Sequence, residues 1–359
     1  MKKMRLICVS VLALGLAFIA SSCKKDQETA SITVTTSTLE EEDNDARVYV
    51  DFSDRNRMKW NANDRIMIYN LDPTDGNAAI VQEFHTDASA EGEITATFHG
   101  PAVGAPQSDL GYFFFYPAAM TSAAVDEDNR ATFTVGDTQH YTELRTKKGA
   151  VISTIEPGTM AQAATSQDLH FQMNNIFGVA RVYLMGNQEV VKVELIDNTF
   201  NLTGSAKVCL PNVDAATMLA YVEAYKQGAI SYLDMYDYLS DMLLYYPMPT
   251  GTMMTLDCSN YTDANGEVQH GVQLTNPDAK SFMFCLRPGA LSNGFTLRVY
   301  YSDHTGTEIE FDTENLENPR EYCIVPGRIK GIRLKVDGYE TAVDGLDDNG
   351  NPLFPTFTW

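Results

Sequence analysis

The heptapeptide FTLRVYY, residues 295–301, alternates apolar and polar side chains and places Phe295, Leu297, Val299 and Tyr301 on one face. A period of two is typical of a β-strand that is buried on one side. The same alternation recurs along the chain, at 32–35, 48–52, 94–99, 191–195, 282–286 and 332–336. Turn-forming pairs separate these runs: Asp75-Gly76, Asn265-Gly266, Pro288-Gly289 and Asn293-Gly294. Strands at this density predict a mainly β protein made of sandwiches or barrels rather than β-α-β units.

One stretch, from Val213 to Leu244, departs from this alternation. Its apolar residues follow helical spacing: Met218, Leu219, Val222 and Tyr225, then Leu233, Tyr236, Leu239 and Leu243. Asp214 can cap the start of a first helix, and Gly228 can end it. We predict a pair of helices inserted between two strands. Its Met and Tyr side chains are favoured as the packed face of an amphipathic helix over an exposed binding surface.

The N-terminus has the pattern of an export signal. Three basic residues, Lys2, Lys3 and Arg5, precede an apolar run that is too short to span a bilayer comfortably. The small residues of Ala20-Ser21-Ser22-Cys23 resemble a bacterial lipobox. We therefore predict a signal peptide over 1–22 and an anchor of acyl chains on the Cys23 thiol. An ordinary secreted protein, cut nearby with Cys23 incidental, is the alternative.

The chain is strongly acidic. It has 48 acidic and 26 basic residues and a net charge of −22. Loss of the basic signal peptide would make the mature protein more acidic still. Such a surface repels nucleic acid and anionic lipid, which argues against both as partners.

Four cysteines would remain after processing: Cys209, Cys258, Cys285 and Cys323. They are far apart and form no C-x-x-C pair. A role as small apolar core residues is favoured. A disulfide among them stays open, since a sequence cannot choose the pairing.

Residues arranged for catalysis or metal binding are not evident in the sequence. The six histidines have none of the spacings typical of a metal site. Ala290-Leu291-Ser292-Asn293-Gly294 lacks the first glycine of a G-x-S-x-G motif and is interpreted as a turn. The acidic run from Asp344 to Asn349 is favoured as a solvated loop over a Ca²⁺ site. We therefore predict a protein that is not an enzyme and needs no cofactor or metal.

The stretch WNANDRIMIY, from Trp60 to Tyr69, resembles the W-x-x-G-D-x-I-x-[IV]-[YF] signature of fimbrillin-like proteins, which are lipoproteins and type V pilins of anaerobic Gram-negative bacteria. Asn63 replaces the usual glycine, and asparagine also tolerates a left-handed turn. Further matches follow in order: Phe114–Pro117, Leu169–Gln172 with Phe177–Val182, Leu202–Gly204 and Val325–Arg328. The motif residues that carry the resemblance are Trp60, Asp64, Pro117, Gly204, Pro326 and Gly327.

The resemblance implies two transthyretin-like β-sandwich domains in tandem, with the helical insertion in the second. After the signal peptide, 23–46 would be a tether or pro-segment that contains the first strand. The N-terminal sandwich would cover 47–165, with a boundary near Thr165 because 161–166 is small, polar and unpatterned. The C-terminal sandwich would cover 166–359, with the helices at about 213–244 and an acidic tail over 337–359.

In the pilins of this family, an Arg-specific protease removes the first strand, and the opened groove accepts a strand from the next subunit. Arg47 follows an acidic segment and is the candidate cleavage site, which would withdraw Ile32 and Val34 from the groove. The incoming strand would be Leu353 to Trp359, although Pro355 cannot donate a ladder hydrogen bond. The alternative is that Arg47 is an ordinary residue of an intact lipoprotein.

The resemblance therefore implies a lipid-anchored protein of the outer membrane and cell surface that acts in fimbrial assembly or adhesion, as a pilus subunit, anchor or tip component. Its partners would be other fimbrial subunits or further copies of itself, and a host or glycan ligand. The alternative is a stand-alone glycan-binding lipoprotein, with Tyr232 and Tyr236 as the candidate platform.

Overall fold

The computed structural model describes residues 29–35, 40–41, 58–74, 78–107, 109, 111–145, 151–156, 158–167, 169–199, 201–210, 214–245, 251–275, 279–311, 319–332, 334–336, 339–341 and 356–358. Cys23, Arg47, the predicted strand at 48–52 and the acidic run at 344–349 lie outside these residues. The described part confirms a mainly β fold with two α-helices.

The strands are β1 (Thr29–Thr35), β2 (Glu40–Glu41), β3 (Arg65–Asn70), β4 (Ile80–His85), β5 (Thr95–Pro101), β6 (Tyr112–Tyr116), β7 (Thr121–Val125), β8 (Arg130–Val135), β9 (Thr138–His140), β10 (Thr142–Arg145), β11 (Val151–Thr154), β12 (Gln162–Ser166), β13 (His170–Gln172), β14 (Asn174–Asn175), β15 (Gly178–Leu184), β16 (Glu189–Asp197), β17 (Gly204–Cys209), β18 (Leu243–Tyr245), β19 (Met253–Asp257), β20 (Tyr261–Thr262), β21 (Val268–Gln269), β22 (Val272–Gln273), β23 (Lys280–Leu286), β24 (Phe295–Tyr301), β25 (Thr305–Phe311), β26 (Arg328–Ile332), β27 (Leu334–Val336), β28 (Tyr339–Thr341) and β29 (Thr356–Thr358). The helices are α1 (Ala215–Lys226) and α2 (Tyr232–Ser240), and short 3₁₀ turns lie at Ala88–Ala90, Ala118–Met120 and Pro319–Tyr322.

Eight strands form one sheet in the order β13-β1-β5-β4-β3-β6-β12-β14. Its two end strands, β13 and β14, are separated in the chain only by Met173. The segment from His170 to Asn175 therefore pairs with β1 at one end and with β12 at the other, so the sheet closes on itself. Closure removes the exposed sheet edges that would otherwise invite pairing with another chain. We call these eight strands the closed sheet.

The remaining larger sheets surround a second core. Their orders are β2-β26-β15-β23, β29-β25-β24-β16-β19-β9 and β18-β17-β8-β7. All three combine strands from both halves of the chain, because β2 pairs with β26, β8 pairs with β17 and β9 pairs with β19. Phe133 of β8 accordingly packs edge-on against Phe177, with ring centroids 5.6 Å apart. The division into two tandem sandwiches with a boundary near Thr165 stays a prediction.

The helical pair is confirmed. Asp214 caps α1, since its carboxylate accepts hydrogen bonds from the backbone N–H groups of Ala216 and Thr217. Gly228 follows the helix with φ of +76°, the left-handed conformation that ends many helices. Both helices lie between β17 and β18, which pair with each other.

The prediction that 161–166 is unpatterned was wrong, because this segment contains β12, which lies between β6 and β14 in the closed sheet. Its small side chains lie opposite large ones: Ala163 pairs with Phe115, and Ala164 pairs with Phe114. The aromatic rings of β6 fill the space that the alanines leave, so β12 needs no large apolar residues of its own.

The alternation assigned to 191–195 also needs correction. Val193 and Leu195 are buried, as expected, but Val190 rather than Val191 joins them in the core. The pairing of β16 with β24 shifts register between Val190 and Lys192, which marks a β-bulge. An extra residue at a bulge exchanges the two faces of a strand, and the sequence carries no sign of it.

Within the described residues, Cys209, Cys258, Cys285 and Cys323 are all buried thiols. This agrees with the favoured interpretation that they are small apolar core residues. Burial raises the pKa of the Cys285 thiol to about 12, even though Thr159 donates a hydrogen bond to its sulfur. A thiol of that kind stays protonated and unreactive at neutral pH.

Candidate functional site

The candidate site is the groove in the closed sheet that β1 occupies. β1 pairs antiparallel with β5 along its whole length, from Thr29 opposite Pro101 to Thr35 opposite Thr95. On its other side it pairs in parallel with β13, where the N–H of Thr33 donates to the carbonyl of Leu169 at 3.0 Å. A strand with partners on both sides is an interior part of its sheet.

Side-chain burial fixes the register of β1. Ile32 and Val34 are only 1% and 0% exposed, and they pack in one core with Trp60, Phe98 and Phe114. Complete burial of such a side chain contributes about 1.5–3 kcal/mol. A slip of one residue would turn both apolar side chains to solvent and would place threonines inside. The groove therefore specifies a strand with apolar residues at alternate positions.

Trp60, the first residue of the family motif, closes this core. Its indole ring packs edge-on against Phe98 and Tyr116, with centroid distances of 5.0 and 5.2 Å. Its Nε1–H donates a hydrogen bond to the carbonyl of Val34 at 3.3 Å. Trp60 thus contacts β1 through a main-chain group that any occupant of the groove would also present.

A tight turn holds Trp60 in place. Asn63 has φ of +63°, the left-handed conformation for which the family usually has glycine. The Asp64 carboxylate accepts hydrogen bonds from the N–H of Asn61 at 2.7 Å and from the hydroxyl of Tyr116 at 3.2 Å. Burial raises the pKa of Asp64 above its ordinary value of 3.8, and the hydrogen bonds from Asn61 and Tyr116 offset part of that increase.

Pro117 lies at the far end of the same core. The Tyr116–Pro117 peptide bond is cis, and β6 ends there. Burial and the nearby Asp64 carboxylate raise the pKa of the Tyr116 hydroxyl, which keeps it a hydrogen-bond donor. The structure therefore brings Trp60 and Asp64 together with Tyr116, the residue before Pro117.

The other motif residues lie elsewhere. Gly204 begins β17 with φ of +100°, and Gly327 has φ of +71° in the turn that Pro326 opens before β26. In that turn the N–H of Gly327 donates to the carbonyl of Phe177 at 2.8 Å. A side chain at Gly178 would lie 2.2 Å from the carbonyl oxygen of Val325, so only glycine fits beneath this turn. These residues support the second core and make no part of the groove.

Cys23 and Arg47 lie outside the described residues, so their predicted roles stay predictions. Between β1 and Arg47, Glu40 and Glu41 form the short strand β2, which pairs in parallel with β26. Part of the segment interpreted as an acidic linker is therefore attached to a sheet edge. Within the described ranges, no helix is long and apolar enough to cross a membrane, and no group of three or more His, Cys, Asp or Glu side chains is arranged to hold a metal ion.

The predicted donor segment, 353–359, is partly a strand in this structure. Its residues Thr356–Thr358 form β29, which pairs antiparallel with β25 at the edge of a sheet. Only three residue pairs hold it, from Thr305 opposite Thr358 to Thr307 opposite Thr356.

The tyrosines of the helical pair divide into two groups. Tyr225 is buried, and Tyr232 and Tyr236 pack against the second core. Tyr221 is also half-buried against this core and stacks on Tyr238, with centroids 4.1 Å apart, whereas Tyr238 itself is 41% exposed. The platform predicted at Tyr232 and Tyr236 is therefore largely packed, because Tyr232 also donates a hydrogen bond to Thr199.

Sequence reasoning missed the second partner of β1. The segment from Leu169 to Gln172 was assigned to the start of the second domain, yet β13 completes the groove from the parallel side. Its Phe171 stacks on Phe114 at 3.7 Å. The apolar residue between two polar ones, His170 and Gln172, was a sign of a strand, but nothing in the sequence indicated which strand it pairs with.

No protein-family model matches the chain, and no curated protein matches it. Solved structures with some similarity include a proposed cell adhesion protein from Bacteroides ovatus ATCC 8483, 10% identical, with a TM-score of 0.39 over 79% of this chain and 86% of that one. A second, from Bacteroides uniformis ATCC 8492, is 12% identical, with a TM-score of 0.36 over 92% and 99%. The tip fimbrial protein Mfa3 from Porphyromonas gingivalis is 8% identical, with a TM-score of 0.29 over 92% and 100%. Identities and TM-scores this low establish neither a family nor a function for this chain.

Proposed function

We propose that this chain is a cell-surface, fimbrillin-like lipoprotein that acts in fimbrial assembly or adhesion by strand addition. Lipid on Cys23 would anchor it, and cleavage after Arg47 would separate β1 from the rest of the chain. The vacated groove would then accept a strand from another subunit. The observation that carries the proposal is β1 itself, a complete strand with partners on both sides and two fully buried side chains.

Strand addition suits this groove for a physical reason. Its recognition of β1 combines main-chain hydrogen bonds from β5 and β13 with pockets for alternate side chains. Main-chain groups are common to every sequence, so they give affinity, and the pockets at Ile32 and Val34 give register. Trp60 adds a donor for the main-chain carbonyl of Val34, the residue in the second pocket.

The short strand β29 is a natural source of the incoming strand. It has one neighbour and three residue pairs, so leaving β25 would cost little. The residues that would enter the groove are 353–359, with the apolar positions Leu353, Phe357 and Trp359. Pro355 lies among them and would have to occupy a position where no ladder donor is needed.

The test is the mature N-terminus of protein taken from the cell surface. Mass spectrometry should find a form that begins at Val48, and unboiled samples should give SDS-resistant ladders. Arg47→Ala should retain the segment from Cys23 onward and abolish the ladders, while the matched control Arg57→Ala should leave both unchanged. A surface form that begins at Cys23 and runs only as a monomer would remove the assembly function.

Glycan binding is the second candidate function, and one observation favours it. Tyr238, which stacks on the half-buried Tyr221, presents aromatic surface on the exposed side of the helices. Glycan-array binding that is lost in Tyr238→Ala, but kept in Tyr232→Phe, would support this function. Absence of binding by the wild-type protein would remove it.

A further inference from the structure

The outer surface of the closed sheet carries a row of polar side chains that strand addition does not use. Across this row, Ser31 of β1 lies opposite His99 of β5, and His99 lies opposite His85 of β4. All three side chains are exposed. Their neighbours Phe98 and Phe84 point into the core, so the two histidines must point outward.

The two histidines are close enough to share a ligand. Residues directly opposite each other in antiparallel strands have Cβ atoms about 4.5–5.5 Å apart and project from the same face. An imidazole nitrogen binds a metal such as zinc at about 2.0–2.1 Å. Two rings that rise side by side from this spacing can therefore each direct one nitrogen at the same ion.

Ser31 orients one of these rings. The Ser31 hydroxyl lies 3.0 Å from Nδ1 of His99. If the Nδ1–H of His99 donates to Ser31 Oγ, then Nε2 of His99 keeps its lone pair. Nε2 lies on the side of the ring away from β1, which is the side of His85. A hydrogen bond from the second ring nitrogen is the usual way in which proteins fix the tautomer and orientation of a metal-binding histidine.

The charges around the pair favour a cation. The Asp87 carboxylate follows His85 by two residues, and it accepts hydrogen bonds from the N–H and the hydroxyl of Ser89. Arg65 lies opposite His85 in the same row, and its guanidinium is paired with Glu83 at 3.0 Å. The surroundings are therefore not repulsive to a metal ion.

We propose that His85 and His99 form a two-histidine binding site for a divalent transition-metal cation, of the class that imidazole nitrogen suits: Zn²⁺, Cu²⁺ or Ni²⁺. Water fills the remaining coordination positions. The bound ion ties β4 to β5, the strand to which β1 is paired. Because it binds the folded chain, it raises thermal stability, and the gain grows with the logarithm of the free metal concentration once that concentration exceeds Kd. Both histidines lie outside β1, so the site needs neither lipid attachment nor cleavage at Arg47, and exchange of β1 would weaken it by removing Ser31.

Titration of the purified full chain, without an affinity tag, tests the site. Calorimetry with NiCl₂ or ZnSO₄ should show one saturable site that is lost in both His85→Ala and His99→Ala. Ser31→Ala should keep the site but weaken it by roughly tenfold, as the loss of an orienting hydrogen bond does elsewhere. The EPR spectrum of bound Cu²⁺ should indicate two nitrogen ligands in the wild type, and this signal should be lost in either histidine variant.

Two controls make the result decisive. His270→Ala removes an exposed histidine from a different loop and should leave binding unchanged. Melting curves without metal should show that His85→Ala and His99→Ala are folded, since both side chains are on the surface. Absence of binding in the wild type, or binding that survives both substitutions, would overturn the site.

Discussion

The first and last described strands are held in opposite ways. β1 lies between two strands, pairs over seven residues on one side, and buries Ile32 and Val34 completely. β29 has a single neighbour, β25, and three residue pairs. Pairing on both sides together with side-chain burial makes a strand part of the core, whereas pairing at an edge does not. The comparison indicates that β1 is replaceable only by another strand, while β29 can leave without replacement.

The largest loss of stability should follow from placing a charged side chain in the groove. Val34→Asp would bury a carboxylate with no partner, and we expect a loss of about 4 kcal/mol or more in the free energy of unfolding. Urea unfolding followed by tryptophan fluorescence measures it, since Trp60 contacts this strand. Thr33→Asp, on the exposed side of the same strand, is the matched control and should cost less than about 1 kcal/mol. Equal costs would show that β1 does not fill the groove.

A smaller effect should follow from removing the contact between Trp60 and β1. Trp60→Phe loses the hydrogen bond to the Val34 carbonyl and leaves space beside Phe98, so we expect a loss of about 2–3 kcal/mol. Hydrogen exchange should become faster in β1, and it should stay unchanged in β24, which lies in the second core. Unchanged exchange in β1 would contradict the role given to the indole.

Deletion of 356–359 tests how much β29 contributes to stability, for comparison with β1. The chain loses three residue pairs at a sheet edge, so we expect a cost of about 1 kcal/mol in the free energy of unfolding. Deletion of 29–35 is the matched control at the other strand and should prevent stable folding. A large cost for the deletion of 356–359 would mean that β29 is as integral as β1.

The smallest effect concerns pH. The pKa of Asp64 is raised above 3.8, so between the unfolded and folded pKa values the native state binds more protons than the unfolded state. Stability from this group is fully present below pH 3.8 and falls as the pH rises through the folded pKa. Asp64→Asn should remove that decline. The free energy of unfolding of both proteins would be measured from pH 3.5 to 7. An equal decline in the wild type and in Asp64→Asn would contradict the assignment.

Local chemistry predicted much of this fold. Alternation in 94–99 and 295–301 predicted β5 and β24, and helical spacing with Asp214 and Gly228 predicted α1. Each of these signals lies within a few residues of chain, where period, cap and turn act directly.

Pairing between distant segments could not be predicted in the same way. β12 consists of small residues because Phe114 and Phe115 of another strand fill the space, and β13 joins β1 across more than a hundred residues. The bulge at Val190 reverses two faces without any change in composition. The motif around Trp60 did indicate a turn and a strand, but its contact with Val34 depends on the closed sheet.

Exchange of β1 in the purified protein tests the central claim most directly. The chain would be cut after Arg47 with an Arg-specific protease and mixed with a fluorescent peptide that carries residues 29–35. The account predicts that the peptide replaces the released strand and co-migrates with the protein, and that the same peptide with Ile32 and Val34 changed to Asp does not. Equal binding of both peptides, or of neither while the released segment dissociates, would contradict it.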